Sequence, residues 1–268
     1  MIVSSPGSSA NPPLPDIDDR LVMPGSGYEI DDGKLVRVPP ADPPHAECNA
    51  NLAALLMAHV TPDFKVAIDM LTRTSQVDDI APDASIFPRA PHPETGRRQL
   101  EHIAFEVAST QSLLDAGRKA AKLVGRGVRR VFAIDVDRGR VFEWSSELGT
   151  WSILDLGTMI EDQTLAVALP LVALVDAART DDAIAAALLA KQNPVLEAAL
   201  ADHAFRGRAE GRAEGRAETL LLILEQRGLV PRAAERATLL AMRDPEQLRR
   251  WLERALTCGS IAELLAGV

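Results

Sequence analysis

Two acidic residues lie inside apolar segments where a charged side chain is costly. Glu106 stands within Ile103–Ala108, the pattern of a strand buried on both faces, and Asp83 follows Pro82 in an extended apolar segment that ends at Phe87. Burial of even a neutral polar group without a partner costs on the order of 2–7 kcal/mol, so a carboxylate there calls for a cation. An edge strand facing water is the alternative for Glu106, and turn formation is the alternative for Asp83.

Two lysines one helical turn apart are candidates to complete such a site. Lys119 and Lys122 lie in the amphipathic segment that follows Glu106, where a lysine ordinarily faces solvent. Asp83 and Glu106 on neighbouring strands can converge on one hard cation such as Mg²⁺ or Mn²⁺. Such a cation polarises a phosphoryl oxygen and lowers the pKa of the attacking water, and a lysine orients that water or neutralises phosphate charge. The set predicts metal-assisted hydrolysis of a phosphodiester.

Alternating strands and helices must position these residues. The predicted elements are a hairpin at Tyr28–Val38 around Asp32-Gly33, a helix at His45–Val60, extended segments at Phe64–Leu71 and Val77–Phe87, a strand at His102–Ala108, a helix from the capping residue Ser112 to Gly125, and strands at Arg130–Val136, Arg140–Trp144 and Trp151–Leu154. Because helices alternate with strands, the sequence predicts an α/β fold with a mixed central sheet flanked by helices.

Composition divides the chain into three parts. Residues 1–20 are rich in Ser, Pro, Gly and Asp without periodicity, which predicts a disordered tail. Residues 21–180 hold the predicted α/β core. Residues 190–268 are rich in Ala and Leu and predict an all-helical C-terminal extension.

Charge and composition exclude several classes of protein. The net charge is −9; from His203 onward 11 Arg stand against 9 acidic residues, so this part carries +2 and the preceding residues −11. Such a core does not coat nucleic acid non-specifically, and it would meet DNA through a local basic rim or a bound cation. The longest uncharged apolar run, Leu165–Val175, is too short to span a bilayer, and no P-loop or dinucleotide fingerprint predicts a nucleotide cofactor. Cys48 and Cys258 lie far apart, which favours the reduced cytoplasm and argues against a zinc site.

Five segments, taken in order, resemble a known family. They are YEIDDGKLV, PPHAECNANLAALL, IAPDASIF, HIAFEVAST and DAGRKAAKLVGRGVRRVFAIDVDRGRVFEW, and over about residues 24–175 they are similar to the Uma-type endonucleases of the PD-(D/E)XK superfamily. The resemblance implies a restriction-endonuclease-like core that cleaves DNA with Mg²⁺ or Mn²⁺. It also implies that Asp83 and Glu106 are metal ligands and that Lys119 is the catalytic lysine. The lysine is displaced from the E-x-K position, where Ala108 stands, to the next helix.

Three further residues are possible accessories, and one departure keeps a second interpretation open. Glu29 and His45 match other recurring positions of the family, although His45 also suits a plain helix start, and Lys122 is the rival of Lys119. Residues 106–112 read EVASTQS where relatives typically read EVLSPST. The alternative is therefore a catalytically inactive protein that keeps the nuclease fold for interaction or oligomerisation.

A tetrapeptide repeat begins the C-terminal extension. Gly-Arg-Ala-Glu occurs three times in residues 207–218, which lines up like charges at i, i+4 and places three glycines, each costing about 1 kcal/mol relative to alanine, in a helix. The extension resembles that of recombination-promoting nuclease and transposase-like proteins, which implies an oligomerisation or accessory module. A homodimer formed through these C-terminal helices is predicted, and a solvated linker helix is the alternative.

Overall fold

The computed structural model describes residues 13–108 and 112–266. The chain forms two compact units, one ending at Gln192 and the other beginning at Asn193. Among the described residues, no helix has both the length and the apolarity that crossing a membrane requires.

The first unit contains strands and helices in alternation. Its strands are β1 (Tyr28–Asp31), β2 (Lys34–Arg37), β3 (Phe64–Ile68), β4 (Thr72–Arg73), β5 (Asp79–Ile80), β6 (Ala84–Pro88), β7 (Ile103–Ala108), β8 (Arg130–Asp135), β9 (Arg140–Ser145), β10 (Thr150–Ile153), β11 (Met159–Ile160) and β12 (Leu169–Pro170). Its helices are α1 (Pro43–His59), α2 (Leu113–Arg126) and α3 (Ala177–Ala190), with a 3₁₀ helix at Leu171–Leu174.

A six-stranded mixed sheet forms the centre of this unit. Its order is β10-β9-β8-β7-β6-β3, with β7 and β8 parallel and the remaining pairs antiparallel. Alternate side chains of β7 point to opposite faces. Phe105 and Val107 pack in the core shared with α1 and α3, whereas Ala104 packs with Ala120 and Leu123 of α2. The predicted α/β fold, a mixed sheet flanked by helices, is confirmed.

A second, smaller sheet of order β2-β1-β5-β4 is present, and because of it two of the predicted strands are shorter than expected. The segment expected to be continuous at Val77–Phe87 is divided between the two sheets, with β5 in the smaller sheet and β6 in the central one, and the strand expected at Phe64–Leu71 ends at Ile68. Asp69, with φ 51°, turns the chain after β3 so that β4 can pair with β5. The predicted hairpin turn is present at Asp32-Gly33, whose φ angles of 50° and 72° suit a two-residue loop.

The N-terminal segment differs from the disordered tail predicted for residues 1–20. Residues 1–12 lie outside the described part, but in residues 13–20 Ile17 is buried and its carbonyl accepts the Arg73 N–H at 3.0 Å. Asp18 pairs with Arg98 at 3.1 Å. The acidic residues that suggested a solvated tail are counter-ions for arginines of the folded unit.

The second unit is all-helical, with α4 (Pro194–Gln226), α5 (Ala233–Ala241), α6 (Pro245–Ala255) and α7 (Ile261–Leu265). Trp251, Leu220 and Leu224 pack with neighbouring apolar side chains in a separate hydrophobic core. Helix α4 runs without interruption through the tetrapeptide repeat. Since α3 packs against α1, the first unit continues to Gln192, past the core boundary of residue 180 that the sequence suggested.

Candidate active site

Glu106 is the most deeply buried acid of the central sheet's α2 face. It follows Phe105 on β7, so the alternation of the strand turns it toward α2, on the same side as Ala104. The residue is 1% exposed, and neither carboxylate oxygen has a hydrogen-bond partner among the described residues. Burial raises the pKa of Glu106 well above its ordinary value, an effect that nearby Lys119 opposes and Asp83 reinforces. Two orphaned oxygens at this depth need a cation or a proton.

Asp83 lies opposite Glu106 because of the register between β6 and β7. Ala84 pairs with Phe105 in antiparallel register, so one residue further Asp83 stands across from Glu106. The Val107 N–H donates to Asp83 Oδ2 at 2.6 Å, which fixes that carboxylate at the start of β6. Like charges directly opposite on neighbouring strands destabilise each other unless a counter-charge intervenes.

His45 holds the other oxygen of Asp83. The Asp42 side chain caps α1 by accepting the His45 N–H at 3.0 Å, and this places the imidazole in the first turn, facing β6. His45 Nε2 lies 3.0 Å from Asp83 Oδ1, and this hydrogen bond raises the pKa of His45. The recurring histidine that the sequence offered as an accessory is therefore in contact with the predicted aspartate.

Lys119 extends from α2 toward the same carboxylates. The Ser112 hydroxyl accepts the Asp115 N–H and begins the helix, and the lysine follows two turns later on the face that covers the sheet. Its Nζ donates to Glu29 Oε1 at 3.0 Å and lies 3.9 Å from Glu106 Oε2. Burial opposes the charge of Lys119, but Glu106 and Glu29 outweigh it and raise the lysine's pKa.

Glu29 connects this lysine to the small sheet. It lies on β1, is 4% exposed and also accepts the Ala81 N–H at 3.0 Å through Oε1. With Glu29, Asp83, Glu106, Lys119 and His45, the structure brings together five of the six residues that the sequence singled out.

Lys122, the sixth, lies in a different cluster. Its Nζ contacts Asp31, and it lies 2.7 Å from Asp32 Oδ1 and 2.6 Å from Asp78 Oδ1. Among the described residues, these three acids form the group whose carboxylate oxygens all lie within 4.8 Å of one another. Because an ammonium group already contacts all three carboxylates, this cluster is a structural ion-pair network.

Two further residues of the site were missed at the sequence level. Asp69 is exposed at the edge of the cleft, but partial desolvation of its carboxyl raises its pKa, with the charge of Asp83 adding to the effect and His45 opposing it. Asn49 lies one turn after His45, and its buried Oδ1 has no partner among the described residues. No spacing marked Asp69, because its position depends on a left-handed turn after β3.

A cleft of about 1080 Å³ opens over these residues. Glu29, His45, Asp69, Asp83 and Lys119 line it together with the β1–β2 hairpin and the segment that follows β2. An extended polar ligand could enter a groove of this size and reach Glu29, Asp69 and Asp83, whereas the fully buried Glu106 is not among the residues that line it.

The charges around the cleft fit a hard divalent cation. Four carboxylates, Glu29, Asp69, Asp83 and Glu106, interact with one another. The cations that act on Asp69 and Glu106, namely Lys119 and His45, supply at most two positive charges, although Arg37 and Arg118 also line the cleft. Carboxylate oxygens are the ligands that Mg²⁺ and Mn²⁺ prefer. The unpartnered oxygens of Glu106 and the nearby carboxylate of Asp83 are suited to hold such an ion.

Comparison with known proteins places this site inside a matched region. Residues 16–174, more than half of the chain, match the model of the Uma2 family, described as "Putative restriction endonuclease". The chain is similar to a "putative nuclease belonging to DUF820" from Anabaena variabilis ATCC 29413, known from a crystal structure. The two share 17% sequence identity with a TM-score of 0.46, over 55% of this chain and 88% of the other. No curated protein matches the chain.

Proposed function

The chain belongs to the Uma2 family, as its sequence predicted, and from the chemistry of the cleft we propose that it is a divalent-metal-dependent DNA endonuclease. The observation that supports this proposal best is Glu106, a fully buried carboxylate whose oxygens accept no hydrogen bond from any described residue. It lies opposite Asp83, and the partly buried Lys119 ammonium is 3.9 Å away. A buried charge in this state is unfavourable for folding alone, so a role in binding a cation explains it.

Asp83 and Glu106 would hold the ion, Mg²⁺ or Mn²⁺, with Asp69 as a further oxygen donor near Asp83. A bound Mg²⁺ supplies polarisation of a phosphoryl oxygen and a lowered pKa of the attacking water. The protein's contribution is to fix the carboxylates before the substrate arrives. Val107 and His45 each hold one oxygen of Asp83, which limits its rotation.

Lys119 is proposed as the residue that contacts the scissile phosphate or orients the attacking water. Its ammonium lies between Glu29 and Glu106, so it keeps its charge at the pH of the cell and can stabilise negative charge that develops on phosphate. Glu29 acts as a positioning residue, because it holds Nζ at 3.0 Å and is itself held by the Ala81 N–H.

DNA is the proposed substrate, in spite of the acidic balance of the chain. A metal ion and Lys119 would offset the charge of the carboxylates where phosphate must approach, and Arg37 and Arg118 lie along the cleft. We also propose a homodimer formed through the C-terminal helices and a cytoplasmic location for the protein.

The experiment that tests this function is nicking of supercoiled plasmid by the full-length protein with Mg²⁺ or Mn²⁺. Glu106→Gln and Asp83→Asn should abolish nicking while the protein stays folded. Glu101→Gln is the matched control: Glu101 is also fully buried, but it is satisfied by Thr72 and Arg98 and lies outside the cleft. Nicking that persists in both site variants would refute the proposal.

An inactive nuclease fold is the competing function, favoured by the strongly acidic first unit. It predicts no metal binding. Isothermal titration with Mn²⁺ separates the two, because a cleaving enzyme must bind the ion and lose that binding in Glu106→Gln. Absence of binding in the wild-type protein would leave the interaction protein as the better explanation.

A further inference from the structure

Helix α4 presents two contrasting faces where the tetrapeptide repeat occurs. Ala213 and Ala217 are buried in the core of the second unit. Gly207, Gly211 and Gly215 lie on another face, where a Cβ on any of them would meet no atom within 4 Å. The repeat therefore buries two of its three alanines and leaves its glycines open.

The charged residues of the repeat flank this glycine face in a fixed order. At about 100° per residue, each arginine lies about 100° to one side of the preceding glycine, and each glutamate lies about 60° to the other side. Arg208 and Arg212 form one flank, while Glu210 and Glu214 form the opposite flank, all of them exposed. The face is thus an uncharged strip with a positive and a negative border.

The uncharged strip is confined to the repeat itself. By the same helical arithmetic Leu200 lies about 20° and Leu222 about 60° from Gly207, and they are 57% and 56% exposed, but the exposed Glu218, at about 20°, separates Leu222 from the glycines. Three glycines cost about 1 kcal/mol each in a helix, which is unfavourable unless another surface packs closely against them.

We propose that this glycine face is the interface with a second copy of the chain, packed parallel to the first. Antiparallel packing about a two-fold axis sets Arg208 and Arg212 against the same residues of the second copy. Parallel packing sets arginines opposite glutamates on both flanks. Charge complementarity therefore selects the parallel pair, and the four-residue spacing of the glycines suits packing of i±4 ridges, with a crossing angle of about −50°.

Chain connectivity gives the parallel arrangement a consequence. Helix α4 begins at Pro194, directly after the first unit ends at Gln192. Parallel α4 helices therefore attach two copies of the first unit at the same end of the pair. The interface does not depend on cleavage activity, so it can fail or succeed independently of the nuclease proposal.

The glycine face is tested by sedimentation equilibrium of full-length protein. Gly211→Leu should raise helix propensity by about 1 kcal/mol yet weaken self-association at least about 10-fold, because the side chain prevents close approach. The control is Gly125→Leu in α2, which also has open space around its Cβ position and should leave the dimer unchanged. A wild-type monomer at every measurable concentration, or a dimer unaffected by Gly211→Leu, would overturn the proposal.

The orientation is tested by exchanging the charges of the two flanks. A variant with Arg208→Glu, Arg212→Glu, Glu210→Arg and Glu214→Arg should form its own dimer but no mixed dimer with the wild-type chain, as measured by native mass spectrometry after subunit exchange. The exposed Glu214–Arg243 pair lost in this variant contributes only about 0–1 kcal/mol. Preferential mixed dimers would mean antiparallel packing and would overturn the parallel arrangement.

Discussion

Lys119 and Lys122 lie one turn apart on α2, and each contacts a group of carboxylates, yet the two clusters differ. Lys122 contacts Asp31, Asp32 and Asp78, two of them at 2.7 and 2.6 Å, at the partly exposed tip of the β1–β2 hairpin. Lys119 is 17% exposed and bonds to Glu29. It lies 3.9 Å from Glu106, whose oxygens accept no hydrogen bond within the part of the chain that the structure describes.

This difference separates an ion-pair network that holds structure from one that can do chemistry. The Lys122 network satisfies its acids with an ammonium group, and Asp78 is further bonded by Ser75 and by the Asp32 N–H. The Lys119 network retains an unsatisfied carboxylate beside a cleft. Strained or unsatisfied polar groups are expected at functional sites, because folding alone gives no reason to keep them.

Replacing each lysine by methionine should produce the largest contrast between the clusters. Lys119→Met removes the cation proposed to face phosphate, and we expect cleavage to fall by about 100-fold or more, judged by the effect of removing one charge-stabilising donor from an active site. Lys122→Met should lose at most a few-fold of its activity per folded molecule and about 1–3 kcal/mol of stability. Cleavage rates together with urea titrations measure both.

The opposite outcome would exchange the roles of the lysines. If Lys122→Met abolished cleavage in folded protein while Lys119→Met cleaved normally, the hairpin cluster would be the catalytic one. Lys119→Arg serves as a further control, because it keeps the charge but alters the point contact with Glu29.

A divalent ion should stabilise the two clusters unequally. At a concentration 100 times its Kd, Mn²⁺ adds about 2.7 kcal/mol to the free energy of unfolding, which corresponds to a rise in Tm of about 5–10 °C. Lys122→Met should retain this rise and Glu106→Gln should lose it. Thermal unfolding with and without Mn²⁺ measures the effect, and an equal rise in Glu106→Gln would place the ion elsewhere.

The metal-free protein should lose stability with rising pH because of Glu106. Burial holds the pKa of Glu106 in the folded state well above the ordinary value of 4.5. Above pH 4.5 the unfolded chain therefore binds fewer protons at this residue than the folded chain. The free energy of unfolding should decrease by up to about 1.4 kcal/mol per pH unit until the folded pKa is reached.

Glu106→Gln should remove this part of the pH dependence and make the metal-free protein more stable near neutral pH, because the folded state no longer has to keep a proton that the unfolded chain releases. Urea titrations at a series of pH values compare the two proteins. Identical slopes would show that Glu106 titrates near 4.5 and that its burial has no energetic consequence. Mn²⁺ should flatten the wild-type slope, since the ion binds the carboxylate form.

The sequence was sufficient for the mixed α/β fold, because hydrophobic alternation with short strands and amphipathic helices is local information. It also indicated a buried Glu106, since every neighbour on β7 is apolar. The residue pattern alone could not decide between Lys119 and Lys122, because residues three apart share one side of a helix and their partners are set by where β1 ends. The choice of Lys119 rested on the family resemblance. Asp69 was not predicted, because its approach to Asp83 depends on a left-handed backbone turn in a segment that looked continuous.

The smallest expected effect concerns the link between the clusters, which runs through β1. Glu29 and Asp31 are two residues apart on this strand, so they share one face and each bonds a different lysine of α2. Asp31→Asn should therefore cost about 0.5–1 kcal/mol of stability and reduce cleavage only a few-fold, by loosening Glu29. A double-mutant cycle with Glu29→Gln measures the coupling. Coupling between the two substitutions would show that the Lys122 cluster helps to position Lys119 through β1, the strand that both clusters share. If the two effects on cleavage multiply independently, the Lys122 cluster only stabilises the hairpin.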